Sequence, residues 1–249
     1  MVIIPLLMAG CAGPFSTLDP AGPSASAVAG LWWGMFAAAT AVLLAVVGLW
    51  LYAAGRTQRE LNRKELNSEL PNSERLDGER LSREKFSDEQ AVRIHRRWII
   101  GGGLILPVTA IVLLLTFGIP VGHNMLPLPV KEEVLRIDVT GHQWWWQVNY
   151  PDGGVELRDE LHIPAGVAVD LYLTSADVVH SFWVPRLGGK LDMLPGRTNI
   201  LRLRADEPGT YRGQCAEFCG LHHAHMQFTV TAHSAADFAA WLAEARTDD

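Results

Sequence analysis

Two uncharged runs dominate the first half of the chain: LWWGMFAAATAVLLAVVGLWLYA, residues 31–53, and WIIGGGLILPVTAIVLLLTFGIPVG, residues 98–122. About 20 consecutive apolar residues suffice to cross a hydrocarbon core as helix, so both are expected to be transmembrane helices. The glycine triplet and Pro107 of the second are tolerable where neighbouring helices satisfy the backbone. From about Pro129 the pattern changes to short alternating runs punctuated by turns: VLRIDVTGHQWWWQVNY, a PDGG turn, ELHIPAGVAVDLYLTS, NILRLRADEPGTYRGQC and MQFTVTA. Strands of this kind in succession predict an antiparallel sandwich. The segment SAADFAAWLAEA, with Ser234 as cap and apolar residues at helical spacing, predicts a short C-terminal helix.

The segments between these elements set the organisation. The opening MVIIPLLMAGC runs through apolar and small residues to Cys11, which resembles the lipobox of a bacterial lipoprotein precursor and makes Cys11 a candidate lipidation site. The following AGPFSTLDPAGPSASAVAG is small, polar and rich in Pro and Gly, the texture of an exposed linker. Between the apolar runs, residues 56–97 hold eleven Lys/Arg and nine Asp/Glu, whereas residues 1–30 hold no Lys or Arg. The excess of basic residues places this loop in the cytoplasm, as solvated helical extensions or disorder, and both chain ends on the periplasmic side of a bacterial inner membrane. The expected order is a precursor segment over 1–10, a periplasmic linker over 11–30, membrane helices over 31–53 and 98–122, a charged cytoplasmic loop over 54–97, and a periplasmic domain over 123–249. The net charge of −6 disfavours nucleic acid as a partner. From His123 onward ten Lys/Arg face seventeen Asp/Glu, so the last domain suits a basic protein partner.

The densest chemistry lies in CAEFCGLHHAHM, residues 215–226. Three cysteines are too few for a disulfide scaffold, and Cys215 and Cys219 stand together among histidines, which favours metal. Cys215, Cys219, His223 and Met226 provide two thiolates, an imidazole and a thioether, and His180 in VVHSFWVP is the upstream candidate. Soft donors of this mixture point to copper, with zinc open on ligand type alone. A mononuclear blue-copper site needs only one cysteine. Two thiolates on one tight loop could bridge two copper ions, with His180 and His223 capping one each and Met226 and a backbone carbonyl in the weak axial positions.

The motifs HSFWVP, LPGR, YRGQCAEFCGLHHAHM and GHQWWWQ, following two membrane helices, resemble subunit II of the cytochrome c oxidases over the chain from the first helix to the last strand. The resemblance implies an all-β cupredoxin-like Greek-key sandwich carrying a binuclear CuA centre, which takes electrons from cytochrome c and passes them to haem a in subunit I. In the complex, with subunits I and III, this feeds reduction of O2 to water coupled to proton translocation, and the haems belong to the partner subunit. It further implies Cys215 and Cys219 as bridging thiolates, His180 and His223 as imidazole ligands, Met226 as axial ligand and Glu217 as a backbone-carbonyl ligand. The Glu217 side chain is implied to reach a magnesium ion at the subunit I interface, Trp144 to be the electron entry point, and Asp177 to dock cytochrome c. Trp145 and Trp146 are expected to pack, and His95, His123, His142, His162, His222, His225 and His233 to be surface or structural residues.

Two positions depart from the pattern of that family: Asn149 stands where an acidic docking residue is common, and RIHRRWIIGGG lacks the Glu found near a proton-uptake entrance. A quinol oxidase subunit II would lack the copper ligands, and a nitrous oxide reductase would need a propeller domain for which 249 residues are too few. A thioredoxin-like copper chaperone also uses C-x-x-x-C and a distant histidine. Its cysteines precede a helix with the histidine downstream, the reverse of the order here.

Overall fold

The computed structural model describes residues 11–68, 88–129 and 134–246. The expected precursor segment 1–10 and the middle of the charged loop lie outside the described residues. The chain divides into two compact units, Trp33–Gly118 on one hand and Met1–Trp32 with Ile119–Asp249 on the other.

The first unit is helical. Helix α1, Pro23–Ser68, is 46 residues long, about 69 Å at 1.5 Å per residue, and so extends well past the apolar run. Its polar continuation carries exposed pairs such as Arg56–Glu60 at 3.7 Å, four residues apart. Helix α2, Asp88–Ile100, passes through a π-helical turn at Gly101–Ile105 into helix α3, Leu106–Asn124. The wide turn has a cause: Pro107 has no N–H and its ring crowds the carbonyl four residues back, Gly103. Two stretches, Pro23–Arg63 and Gln90–Asn124, are long and apolar enough to cross a membrane, and their apolar side chains, Leu44, Trp50 and Phe117 among them, are uncovered.

Among the described residues, the second unit is a two-sheet sandwich of ten strands: β1 Leu135–His142, β2 Trp145–Tyr150, β3 Val155–Arg158, β4 Glu160–Pro164, β5 Val169–Ser175, β6 His180–Trp183, β7 Leu191–Met193, β8 Asn199–Leu203, β9 Gly209–Cys215 and β10 Gln227–His233. One sheet runs β3-β2-β1-β5-β8 and the other β4-β10-β9-β6-β7. Alternation decides which face is buried: Ile137 and Val139 on β1, Trp146, Val148 and Tyr150 on β2, Val169, Leu171 and Leu173 on β5, and Phe228 and Val230 on β10 turn inward. Each such side chain contributes about 1.5–3 kcal/mol by leaving water, which holds the sheets together. The sandwich is mixed where the sequence pattern predicted antiparallel pairing. β1 pairs with β5 and β4 with β10 in parallel, because strands far apart in sequence are brought side by side by connections that cross between the sheets.

Tyr150 bolts the two sheets. Its hydroxyl donates to the carbonyl of His162 at 2.8 Å and accepts the N–H of His162 at 2.7 Å, which satisfies both main-chain groups on the open edge of β4.

The segment expected to be an exposed linker is docked instead. Ala21 donates its N–H to Arg186 O at 2.7 Å and accepts from Asp206 N at 2.9 Å, and Arg186 pairs with Asp19 at 3.2 Å. Ala25 and Ala29 are buried. Small residues permit this approach: a Cβ on Gly22 would stand 2.4 Å from Arg204 O and 2.7 Å from Leu187 O.

The C-terminal helix α4, Ala235–Ala245, starts at Ser234, whose Oγ accepts the N–H of Asp237 at 3.2 Å and donates to its carboxylate at 2.6 Å. Ser234→Ala is expected to lower stability by about 1 kcal/mol, read as a lower thermal midpoint of the full chain by circular dichroism.

Candidate metal centre

Strand pairing builds the site. β9 ends at Cys215 and β10 begins at Gln227, so the intervening loop is closed at its mouth by Gln214 opposite Gln227 and by Cys215 N–H donating to Met226 O at 2.9 Å. β6 lies on the other side of β9, with Phe182 opposite Cys215 and Ala216 N–H donating to Ser181 O at 2.9 Å. This brings His180, the first residue of β6, to the loop although it lies 35 positions upstream of Cys215.

Five of the six expected ligand groups are side chains, and they converge. The Cys215 and Cys219 sulfurs are 3.9 Å apart and both thiols are free. His180 Nδ1 lies 3.9 Å from Cys215 Sγ, His223 Nδ1 lies 3.6 Å from Cys219 Sγ, and Met226 Sδ lies 3.7 Å from Cys219 Sγ. The sixth group, the Glu217 carbonyl oxygen, is 3.2 Å from Cys215 Sγ, while the Glu217 side chain is exposed. His180, Cys215, Cys219 and Met226 are all buried. Cys11 is half-buried elsewhere, its carbonyl accepting from Ser16 Oγ at 2.6 Å.

The electrostatics are those of a thiolate site. Burial pushes the Cys215 thiol up, but hydrogen bonding to His180 and to main-chain groups at Glu217 and Ser181 outweighs it and brings the thiol down to about 7. Burial and the adjacent Cys215 push the Cys219 thiol up to about 12. Holding both as thiolates at this spacing calls for a cation between them. The donor set meets that need with soft groups, and the thioether weighs for copper over zinc. The cysteines sit on a loop joining two strands, a placement foreign to a thioredoxin-like chaperone.

Hydrogen bonds from neighbouring residues orient this cluster. Asp177 Oδ1 accepts from His180 Nε2 at 2.8 Å, which turns Nδ1 toward the sulfurs. Asp177 Oδ2 accepts the backbone N–H of Gln143 at 2.7 Å. Gln143 Nε2 donates to Cys219 O at 2.9 Å and Trp144 Nε1 donates to the same oxygen at 3.3 Å, using both of its lone pairs. Burial opposes the ionisation of Asp177, and the bonds from His180, Gln143 and Val178 overcome it and hold the carboxyl below the usual range. His180 is raised: burial lowers it, while Cys215 and Asp177 raise it further.

Asp177, expected at the partner-docking surface, is thus hydrogen-bonded to His180, with its side chain 31% exposed. Gln143 escaped the sequence reading although it directly precedes Trp144. Trp145 stacks on His142 at 4.3 Å on the outer sheet face, and Trp146 packs inside against His180, Phe182 and Phe228. Around the buried thiols the loop exposes Phe218 and Leu221, 75% and 82% accessible.

Comparison with known proteins gives a consistent picture. Residues 154–233 match the family model described as cytochrome C oxidase subunit II, periplasmic domain. A cytochrome c oxidase subunit 2 of Alkalihalophilus pseudofirmus is 47% identical over 113 residues, 45% of this chain and 33% of that protein. That of Cereibacter sphaeroides is 33% identical over 180 residues, 57% of this chain and 59% of that protein. The chain therefore spans between a third and about three-fifths of the length of these two relatives. The crystallised periplasmic domain of subunit II of cytochrome oxidase from Bradyrhizobium japonicum is 32% identical, with a TM-score of 0.46, covering 48% of this chain and 99% of that one. The His180, Cys215 and Cys219 cluster fits a copper site in a protein of this kind.

Proposed function

The chain belongs to the cytochrome c oxidase subunit II family, and on that premise we propose that it is the electron-entry subunit of a haem-copper oxidase, receiving electrons from cytochrome c and delivering them to haem a in subunit I. The observation that carries this reading is the pair of buried free thiols 3.9 Å apart, each flanked by its own imidazole nitrogen. Cys215, Cys219, His180, His223, Met226 and the Glu217 carbonyl would together hold a binuclear copper centre. Such a centre, when bound, supplies a one-electron carrier.

The protein's own part is to exclude water, fix the donors and provide a route inward. Burial of His180, Cys215, Cys219 and Met226 keeps solvent from the donors, so that little rearranges when charge changes. Trp144, half-buried and bonded through its indole N–H to the carbonyl of Cys219, supports the electron-entry assignment, because one hydrogen bond joins the surface aromatic to a residue that would hold copper. The exposed Phe218 and Leu221 beside it supply apolar contact for partner subunits, and the acidic balance of the domain suits the basic face of a cytochrome c. The exposed Glu217 carboxylate is free to reach magnesium at the subunit I interface. Within the complex with subunits I and III, this chain serves reduction of O2 to water and proton translocation. The two apolar helices anchor it in the bacterial inner membrane with the sandwich on the periplasmic side, and Cys11 is the candidate lipid attachment point.

The test is metal content together with the electron paramagnetic resonance spectrum of the full chain loaded with copper in detergent. Two coppers per chain with a seven-line signal are expected. One copper with four lines, or preferential zinc with no signal, overturns the binuclear assignment.

A further inference from the structure

Two histidines assigned singly as surface or structural residues, His162 and His233, form a unit remote in sequence from the copper loop. The parallel register of β4 and β10 sets His162 opposite Thr231 and His233 opposite Pro164. The two rings are therefore diagonal neighbours on one face. His162 Nδ1 and His233 Nε2 lie 2.8 Å apart. Trp241 of α4 lies face to face on His162, centroids 4.1 Å apart and planes 5° apart, and stacks on His233 at 5.9 Å. Tyr150 closes the cluster edgewise and Phe238 at a tilt of 36°, at 5.3 and 5.6 Å from the Trp241 ring. The helix end is tied in turn to the β2–β3 turn, with Arg246 donating to the carbonyls of Asp152 and Gly153 at 2.9 and 3.1 Å.

A 2.8 Å separation between ring nitrogens accommodates one hydrogen. A metal shared between the rings would need a third donor converging on them. The nearest, Glu160, lies 3.8 Å from His162 Nε2, the nitrogen on the far side of the ring. The geometry thus favours a shared proton. Neutral rings, or a pair with a single added proton, keep one N–H between the nitrogens. With both rings charged, two N–H groups and two positive charges point at each other across the same gap. We propose that the His162–His233 pair is a proton-sensitive latch, which holds the C-terminal helix over the edge strand β4 and releases it when both rings are charged.

The other polar groups around the pair are already engaged or offset it weakly. On β4, Glu160 favours the first proton through His162 Nε2. On β2, the Tyr150 hydroxyl is committed to the main chain of His162. On α4 and its end, Asp237 is committed to the cap at Ser234 and Arg246 to the two turn carbonyls, and Glu244 also has interactions of its own. On β9, the residues beside this end of β10 are Gly209 and Thr210, neither of which titrates. Burial and the neighbouring His233 push His162 below its ordinary value. The latch therefore contributes fully above about pH 6.5, the ordinary imidazole value, and weakens as the pH falls below it.

The inference does not depend on the copper assignment, and its failure would leave that assignment standing. Hydrogen–deuterium exchange of the full chain in detergent, compared between neutral and mildly acidic buffer and corrected for intrinsic exchange, tests it. Protection of α4 amides relative to those of β9 and β10 is expected to be lost in the acidic buffer and kept in the neutral one. His233→Val removes one titrating ring with a residue suited to a strand and is expected to abolish that pH dependence. His233→Gln, polar and without the titration, carries the same expectation should the valine variant fold poorly. Wild-type protection that ignores pH, or a pH-dependent loss that persists in both variants, overturns the latch. Helix protection at neutral pH that rises with zinc chloride and falls with a chelator overturns it in favour of a metal-bridged pair.

Discussion

Trp146→Ala is expected to destabilise the sandwich by about 3–5 kcal/mol, the range for removing a large aromatic side chain from a core. That is a large share of the roughly 5–15 kcal/mol available to a folded domain. Trp146 is fully buried and fills the space between His180, Phe182 and Phe228, with ring centroids 6.2, 5.7 and 5.0 Å away. Phe228, one of the rings lining the gap, is held on Gly213, where it takes the place of a side chain: a Cβ there would stand 2.1 Å from Phe228 Cζ. Trp146→Phe should cost much less, because the indole N–H it deletes has no protein acceptor and an unmade buried bond costs about 1–3 kcal/mol. Denaturant unfolding of the full chain and the two variants gives the ordering. Equal losses in both variants would refute this account of the core. The alanine variant is also expected to bind copper more weakly, since the wall behind His180 is gone.

Asp177→Ala is expected to weaken copper binding by about 10–100-fold, the usual cost of losing the outer partner of a histidine ligand. The carboxylate performs two tasks: it fixes His180 through Nε2 at 2.8 Å and holds the Gln143 N–H at 2.7 Å, and so positions the turn that carries Trp144. Competition with a chelator of known affinity measures the loss. The alternative role, docking of a basic partner, predicts a variant with unchanged copper retention and a reduced salt dependence of cytochrome c binding. Asp177 is depressed below the ordinary carboxylate range, so its contribution is present above about pH 4. It is lost only as the pH falls through the depressed value. Copper retention attributable to Asp177 should therefore be flat from neutrality down to about pH 4.

Much of this was legible in the residues themselves. The uncharged runs announced two long apolar helices, and alternation announced the inward faces, down to Trp146 facing in and Trp145 facing out. The spacing of Cys215, Cys219, His223 and Met226 announced a loop that brings these four side chains together, because a hairpin connection gathers side chains that are already close in sequence. His180 was legible as a candidate, but its pairing with Cys215 depends on β6 lying against β9, which no local pattern encodes. Parallel pairing of β1 with β5 was hidden for the same reason, since alternation has the same period in either direction. The docking of residues 19–29 was masked by a composition typical of linkers, when small side chains were what allowed close approach. Gln143 and the His162–His233 pair were invisible because each acts through a partner 70 or more positions away.

The strap formed by Asp19 and Ala21 has a consequence for biosynthesis. Arg186, which donates to the carbonyl of Asp19, is 167 positions downstream, so at about 5–20 residues per second a ribosome delivers it on the order of ten seconds later. Throughout that interval the strap has no partner and its main-chain groups are left to water. The sandwich can be sealed only after Asp206 has emerged, because the Asp206 N–H is what the Ala21 carbonyl accepts. A fragment engineered to begin at the first strand would be born without this closure, leaving the Arg186 carbonyl and the Asp206 N–H open. The sandwich is thus completed by the part of the chain that was made first.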